Sequence, residues 1–162
     1  GISYPAQPVV NDLIDHAVLQ REIETPICLD ESITSPVKAR QAIEIGACRW
    51  VNIKPCRVGG LTHALTIHNI CAEAGIPCWV GGMLESAVGA NHCLALATLP
   101  NFTYPNDIVP SDFFYNPDLV KPKVTIREDC TFNPSTCPGI PYEPDLELLK
   151  ERTVSCRFFE VD

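Results

Sequence analysis

The sequence has few basic residues and no long apolar stretch. Its 162 residues include 12 Lys and Arg against 20 Asp and Glu, so the formal net charge is −8 and the pI is near 4.9. A chain of this charge repels phosphate backbones and anionic lipid headgroups, so neither a nucleic-acid partner nor a membrane partner is expected. The longest apolar runs fall far short of the roughly 20 residues of a membrane span. We therefore expect a cytoplasmic protein.

The sequence also lacks the spacings of common metal, disulfide and phosphate motifs. Its nine cysteines are odd in number, irregularly spaced and free of CxxC pairs, and no His/Cys set has zinc-ligand spacing. No phosphate-binding glycine loop follows the first predicted strand, which argues against a flavodoxin-like open sheet. Several cysteines lie inside apolar segments, where buried thiols are expected: Cys28, Cys48, Cys78 and Cys93.

Strand-like and helix-like segments alternate along the first hundred residues. The predicted strands are TPICLD, RWVNIK and IPCWVGG, and each is followed by a segment with helical periodicity. Ser35 and Pro36 are typical of a helix start, and Gly46 and Gly75 of helix stops. With the upstream helix DLIDHAVLQREI and a strand remnant in SYPAQP, these segments make about four βα units. The alternation predicts an α/β fold with a parallel sheet.

The pattern changes after Pro100. Proline-rich, irregular sequence follows, and it ends in a short charged helix predicted from about Asp145 to Arg152. We expect two parts, an α/β core over residues 1–100 and a wrapping tail over residues 101–162 that has no core of its own.

Two charged residues end successive predicted strands. Side chains alternate between the faces of a strand, so Asn52 and Lys54 share one face while Val51 and Ile53 share the other. By the same alternation Asp30 points to the face that Lys54 shares. In α/β barrels the carboxyl ends of the strands hold the active site. A structural ion pair between Asp30 and Lys54 is the alternative that this pattern leaves open.

Three motifs carry a resemblance to a known family. The stretches ICLDESITS, NIKPCRVGG and WVGGMLESAVG, in this order and spacing, resemble the o-succinylbenzoate synthase and N-acylamino acid racemase branch of the enolase superfamily. The stretch STCPGIPYEPDLELLKERT is similar, more loosely, to the closing segment of that family. The resemblance implies the carboxyl-terminal half of a TIM-like (β/α)7β barrel. Residues 1–100 then hold about the last four strands and their helices, and residues 101–162 the tail.

The resemblance also implies a chemistry. Members of the family remove a proton from the carbon next to a carboxylate, and Mg²⁺ held by three carboxylates stabilises the resulting enediolate. Two lysines face opposite sides of the substrate. By position, Asp30 matches the third metal carboxylate and Lys54 the catalytic lysine of the seventh strand. Such a lysine is an acid or base in the racemases, and in the synthase it mainly stabilises the anion.

Further residues of the site are implied by position. Gly82, Met83 and Leu84 match the eighth-strand turn that contacts the side chain of the substrate. Asn52 is expected one layer below Lys54 and is predicted to contribute to substrate binding. Glu31 points away from Asp30 by strand alternation, so a supporting or structural role is expected for it.

The chain departs from the family pattern at one metal ligand. Ala6 stands where the family carries a glutamate before a Gln-Pro pair, so one ligand of Mg²⁺ is predicted to be lost. The first metal carboxylate and the other lysine are expected upstream of residue 1. A whole barrel needs about 250 residues, and this chain holds about half of one.

Two functions stay open at this point. The first is a Mg²⁺-dependent enzyme acting on a small carboxylate substrate, with o-succinylbenzoate synthase (dehydration in menaquinone biosynthesis) ahead of N-acylamino acid racemase. The second is a catalytically inactive half-barrel that serves as a structural or interaction module. An uncovered edge strand invites pairing with another chain, so we expect a homo-oligomer or a missing amino-terminal half as partner.

Overall fold

The computed structural model of the protein describes residues 4–10, 12–121, 123–139 and 142–160. Three strands form a parallel sheet and five helices alternate with them, so the predicted parallel α/β arrangement is confirmed. No helix in this part of the chain is long and apolar enough to cross a bilayer. The elements are α1 (Leu13–Glu22), β1 (Cys28–Leu29), α2 (Pro36–Glu44), β2 (Trp50–Ile53), α3 (Pro55–Val58), α4 (Leu61–Glu73), β3 (Cys78–Val80) and α5 (Ala87–Ala97).

The strands follow one another in the sheet in the order β1-β2-β3. Isolated parallel bridges continue the sheet at both edges, because Ala6 pairs with Cys28 and Phe102 pairs with Cys78. The strand remnant predicted in SYPAQP is reduced to the first of these bridges, and its first residue, Ser3, lies outside the described residues. Strands that follow one another in the sequence therefore also lie next to one another in the sheet.

The strands are shorter than the sequence predicts, and the reason lies at their carboxyl ends. Asp30 enters a turn instead of continuing β1, since the amide of Ile33 donates to the carbonyl of Asp30 at 2.9 Å. After β2, Lys54 is the N-cap of the short helix α3, which the sequence analysis did not predict. Pro55 fits the first turn of this helix because that position needs no amide donor.

The predicted ends of α2 are confirmed. Ser35 Oγ accepts a hydrogen bond from the amide of Lys38 at 3.2 Å, and Pro36 is the first helical residue. Gly46, with φ of 69°, follows the helix in the left-handed region, which glycine adopts without steric cost. The helical segment predicted after the second strand is α4, which begins at Leu61 and ends at Glu73, two residues before the predicted stop at Gly75.

The two faces of the sheet pack differently, as strand alternation predicts. One face is aliphatic and packs with helix residues into the main core, which includes Leu29, Val51, Ile53 and Val80. The opposite face carries Cys28, Trp50 and Trp79, packed with Tyr4 and Tyr104. Asp30, Asn52 and Lys54 alternate with the aliphatic set, so they belong to this second face.

The tail beyond Pro100 packs on the core at a few points. A 3₁₀ helix spans Ser111–Phe113, and β4 (Val120–Lys121) pairs antiparallel with β5 (Glu143–Pro144). Val120 and Val124 belong to the main core, whereas the last helix, α6 (Leu146–Arg152), has no buried residue. The division of the chain into a core of residues 1–100 and a tail of residues 101–162 stays a prediction.

Candidate functional site

Asp30 and Lys54 lie together at the carboxyl ends of β1 and β2. These strands are paired in parallel, with Leu29 opposite Val51, so both strands end at the same edge of the sheet. Lys54 Nζ is 3.3 Å from Asp30 Oδ2, and only 15% and 13% of the two side chains are exposed. The structure therefore brings together the two residues on which the sequence analysis depends most, and it joins them as an ion pair.

Arg57 completes this cluster, and the sequence analysis missed it. From α3 its guanidinium donates to Asp30 Oδ1, to the carbonyl of Ile33 at 2.9 Å and to the carbonyl of Asn52 at 2.6 Å. A helical turn after Lys54 would have placed Arg57 beside the site, but the predicted pattern contained no helix there. Two cations thus share one carboxylate, with one on each of its oxygens.

Asn52 lies under Lys54 and is completely buried. Neither Oδ1 nor Nδ2 of its side chain has a hydrogen-bond partner among the described residues. A Cβ atom on Gly81, which directly follows the neighbouring strand β3, would lie 2.7 Å from Asn52 Nδ2 and 2.7 Å from Lys54 Cε. The missing side chain at position 81 is therefore what makes room for both groups. A role of Asn52 in substrate binding stays a prediction.

The three residues after Gly81 form an exposed rim beside the cluster. Gly82 donates its amide to the carbonyl of Asp107 at 2.7 Å, and the carbonyl of Leu84 accepts from Tyr115 Oη at 2.8 Å. Met83 is 51% exposed and Leu84 is 68% exposed. The rim is fixed at its backbone and open at its side chains, and contact between these side chains and a substrate stays a prediction.

Gln7 fixes the turn that follows β1. Its Oε1 accepts from the amides of Asp30 at 3.0 Å and Ser32 at 3.3 Å, and its Nε2 donates to Ser32 Oγ at 2.6 Å. Next to this turn lies a cavity of about 390 Å³, which is lined by residues 6–10 with Asp30 and Glu31. Glu31 is exposed at the cavity wall, and its supporting or structural role stays a prediction.

The described residues do not fit a magnesium ion on their own. Mg²⁺ prefers an octahedral set of oxygen ligands, but Lys54 and Arg57 occupy the two carboxylate oxygens of Asp30. Ala6 supplies no ligand atom from its side chain. Within the described ranges, no three His, Cys, Asp or Glu side chains group closely enough to hold a metal.

The buried thiol of Cys28 stays in its unreactive, protonated form. Cys28 lies on the same face of β1 as Asp30, and Trp79 Nε1 donates to its Sγ at 3.2 Å. Burial raises the pKa of Cys28 to about 12, which outweighs the lowering by the tryptophan hydrogen bond. The thiol stays protonated near neutral pH, so Lys54 rather than Cys28 is the candidate for proton transfer.

Comparison with known proteins gives one family match. The family model described as "Enolase C-terminal domain-like" matches residues 3–148. An o-succinylbenzoate synthase of Geobacillus kaustophilus is 44% identical over 160 residues, which are 98% of this chain and 42% of the relative. An N-succinylamino acid racemase of Thermus thermophilus is 49% identical over 128 residues, which are 78% of this chain and 35% of the relative.

A solved structure extends this similarity to the fold. The enolase-superfamily protein from Listeria innocua superimposes with a TM-score of 0.83 at 40% identity, and the match covers 95% of this chain and 42% of that one. The chain thus spans about two fifths of the length of the relatives that it matches.

Proposed function

The chain belongs to the enolase C-terminal domain-like family, and on that premise we propose that it supplies one side of an active site that removes a proton next to a carboxylate. The α/β fold is that of the carboxyl-terminal part of an enolase-superfamily barrel. The observation that supports the proposed activity is the position of Lys54, which leaves β2 beside Asp30 at the carboxyl edge of the parallel sheet. This edge is where barrel enzymes hold their reacting groups.

Lys54 is the proposed catalytic residue for proton transfer or for stabilising the enediolate. Its Nζ either exchanges a proton with the substrate carbon or stays charged and stabilises the enediolate, and both roles need the amine at the mouth of the sheet. Asp30 orients the amine from one side, and Arg57 keeps Asp30 in place. One lysine serves one face of a carbon, so racemisation requires a second acid–base group on the other face.

Magnesium dependence is proposed for the whole protein and not for these residues alone. Asp30 would contribute one oxygen ligand, and in enolase-type chemistry the metal supplies charge stabilisation for the enediolate. Because the described residues do not fit the ion by themselves, the roles given to Lys54 and Arg57 involve no metal. The small carboxylate substrate and the cytoplasmic location expected from the sequence belong to the same proposal.

We place o-succinylbenzoate synthase activity, the dehydration in menaquinone biosynthesis, ahead of N-acylamino acid racemase activity. Relatives with both kinds of name match most of this chain, at 44% and 49% identity. Asp30, Lys54 and the rim match both activities, so these residues do not distinguish a synthase from a racemase. An assay with both substrates is needed to do so.

The proposal is tested by proton exchange and turnover. The purified protein is incubated with the synthase substrate and, separately, with an N-succinylamino acid in deuterated water, and exchange at the α-carbon is followed by NMR. The same assay is run on a polypeptide extended to the full length of the relatives. We expect exchange or turnover in the parent protein. Lys54→Ala should abolish it, and the control Lys38→Ala, at an exposed position of α2, should retain it. Full activity of Lys54→Ala, or no reaction with either substrate, would rule the proposal out.

One observation favours the alternative of an inactive half-barrel that serves as a structural or interaction module. Both oxygens of Asp30 are held by cations, as expected of a structural ion pair rather than of a metal ligand. On this alternative the chain pairs with a second copy or with an amino-terminal half. Intact mass and sedimentation of the purified protein test it, and a stable monomer of 17.8 kDa would count against such pairing.

A further inference from the structure

Asn52 is the one buried side chain of the site whose polar atoms have no partner among the described residues. The residue has no exposed surface, so water does not reach the amide from outside. A buried polar group without a hydrogen bond costs about 1–3 kcal/mol. Such a group in a folded protein calls for an explanation. The simplest one is a neighbouring side chain that can form a hydrogen bond with the amide in another conformation.

The flexible side chain that borders the same space as this amide is that of Lys54. A Cβ atom built on Gly81 would be 2.7 Å from Lys54 Cε and 2.7 Å from Asn52 Nδ2, and closer still to Asn52 Oδ1. These atoms border the same small space, so the last carbon of the lysine lies near the Asn52 amide. Nζ, one bond further on, pairs with Asp30 Oδ2 at 3.3 Å.

We propose that Asn52 is a positioning residue that offers the Lys54 ammonium a second hydrogen-bond acceptor. Rotation about the Cδ–Cε bond of Lys54 moves Nζ from Asp30 Oδ2 to Asn52 Oδ1, while the rest of the side chain stays beside Gly81. The two positions differ in charge, because one acceptor is a carboxylate and the other is a neutral amide.

The surroundings allow this movement at low cost. When Lys54 leaves Asp30, Arg57 still neutralises the carboxylate, so no buried charge loses its only partner. Arg57 also donates to the carbonyl of Asn52 at 2.6 Å, which fixes the backbone that carries the amide. The lysine is then the only part of the cluster that has to move.

The inference deepens the proposed function, because it rests on Lys54 as the group that meets the substrate. A lysine with two acceptors stays ordered when Asp30 is engaged by another group. The inference can nevertheless be tested without turnover, so its failure and the failure of the proposed activity are distinguishable.

The test is competitive acetylation of the full chain with acetic anhydride, read out by peptide mass spectrometry. The rate at Lys54 is compared with the rate at exposed Lys38 in the same molecules. In Asn52→Leu we expect less than a twofold change, because Asp30 still holds the ammonium. In Asp30→Ala the lysine stays protected by Asn52. In the double variant Asp30→Ala/Asn52→Leu the rate rises about tenfold over Asp30→Ala, as expected for the loss of a hydrogen bond to a charged group.

Two further variants keep the test decisive. Asn52→Asp in the Asp30→Ala background retains an acceptor, so it should keep Lys54 protected, which a purely structural role of Asn52 would not predict. If Asp30→Ala does not fold, as judged by circular dichroism, Asp30→Asn replaces it. Equal acetylation rates at Lys54 with and without Asn52, in the Asp30→Ala or the Asp30→Asn background, would overturn the proposal.

Discussion

Arg57 and Asp30 form an ion pair that joins the short helix α3 to the end of β1. Because Arg57 also donates to two backbone carbonyls, one side chain connects α3 with β2 and with the turn after β1. Only 14% of the Arg57 side chain is exposed, so solvent screens these bonds weakly.

Replacing Arg57 with methionine is expected to destabilise the fold. The change leaves two carbonyls without their donor and Asp30 with Lys54 alone, and it should lower the free energy of unfolding by about 2–3 kcal/mol. Urea denaturation followed by circular dichroism measures this loss. The matched control is Arg127→Met, whose pair with Asp129 is 55% exposed and should matter by about 0.5 kcal/mol or less. Equal effects of the two changes would show that Arg57 is not a structural anchor.

Gly81→Ala is expected to disturb the site directly. The new methyl group would lie 2.7 Å from Lys54 Cε, so it should cost about 1–3 kcal/mol and displace Lys54. Denaturation and acetylation of Lys54 report the two effects separately. Gly46→Ala is the control, because it meets open space and only the positive φ of 69° opposes it, at about 1 kcal/mol. Lys54 labelling in that control should equal that of the parent. A Gly81→Ala protein with unchanged stability and labelling would contradict the packing described for Asn52 and Lys54.

The nine thiols are expected to fall into two classes toward iodoacetamide at pH 8. Burial raises the pKa of Cys28, Cys48 and Cys93 to about 12, so about one thiol in ten thousand is ionised at that pH. Labelling of the folded protein should be confined to the exposed class, and all nine should react in urea. The exposed thiols are Cys56, Cys130, Cys137 and Cys156. Rapid labelling of a buried thiol in the native protein would contradict the packing of the sheet.

Within the exposed class, Cys56 should react most slowly. Partial burial and the neighbouring Glu85 carboxylate raise the pKa of the Cys56 thiol, so a smaller share of it is the reactive thiolate. The rates at the two cysteines are compared on peptides from one labelling time course, so both are measured at the same protein and reagent concentrations. A Cys56 rate equal to that of Cys137 would contradict the assigned contact with Glu85.

The buried thiols also predict the sign of a pH effect. Their ordinary pKa is 9.0 and their folded pKa is about 12, so the folded state binds more protons between these values. The free energy of unfolding should therefore fall as pH rises from about 9 to about 12. Urea midpoints measured across this range check the direction, and Cys28→Ala should make the slope shallower. An unchanged slope would mean that Cys28 does not titrate with unfolding.

Asp118 is expected to attach the tail to the core. Its carboxylate is 3% exposed, accepts from the amide of Ala87 at 3.3 Å and accepts from Ser111 Oγ. Asp118→Ala removes both bonds and a negative charge at the start of α5, so it should cost about 2 kcal/mol and speed proteolysis of the tail. Asp112→Ala, at a surface pair with Lys123, should cost about 0.5 kcal/mol. The reverse order of the two costs would show that the tail is held elsewhere.

Strand alternation placed the site residues because it depends on local geometry. Asn52 and Lys54 had to share a face, and parallel strands had to end at one edge, so Asp30 and Lys54 could be paired from spacing alone. Residue motifs gave the family, which the match over residues 3–148 confirms. The Ser35 cap and the Gly46 stop were equally local, and both are present.

Arg57 and the packing of Asn52 could not be predicted in this way. The helix α3 is only four residues long, too short for a periodic signal, so nothing in the pattern turned Arg57 back toward Asp30. The amide of Asn52, which has no partner among the described residues, depends on Gly81, which lies 29 positions further along the chain, directly after β3. The sequence by itself determined the class of fold, the family and the face on which the polar residues lie. Only the tertiary structure decided which of them touch, because contacts across strands depend on side-chain conformations and on space left by residues far away in the chain.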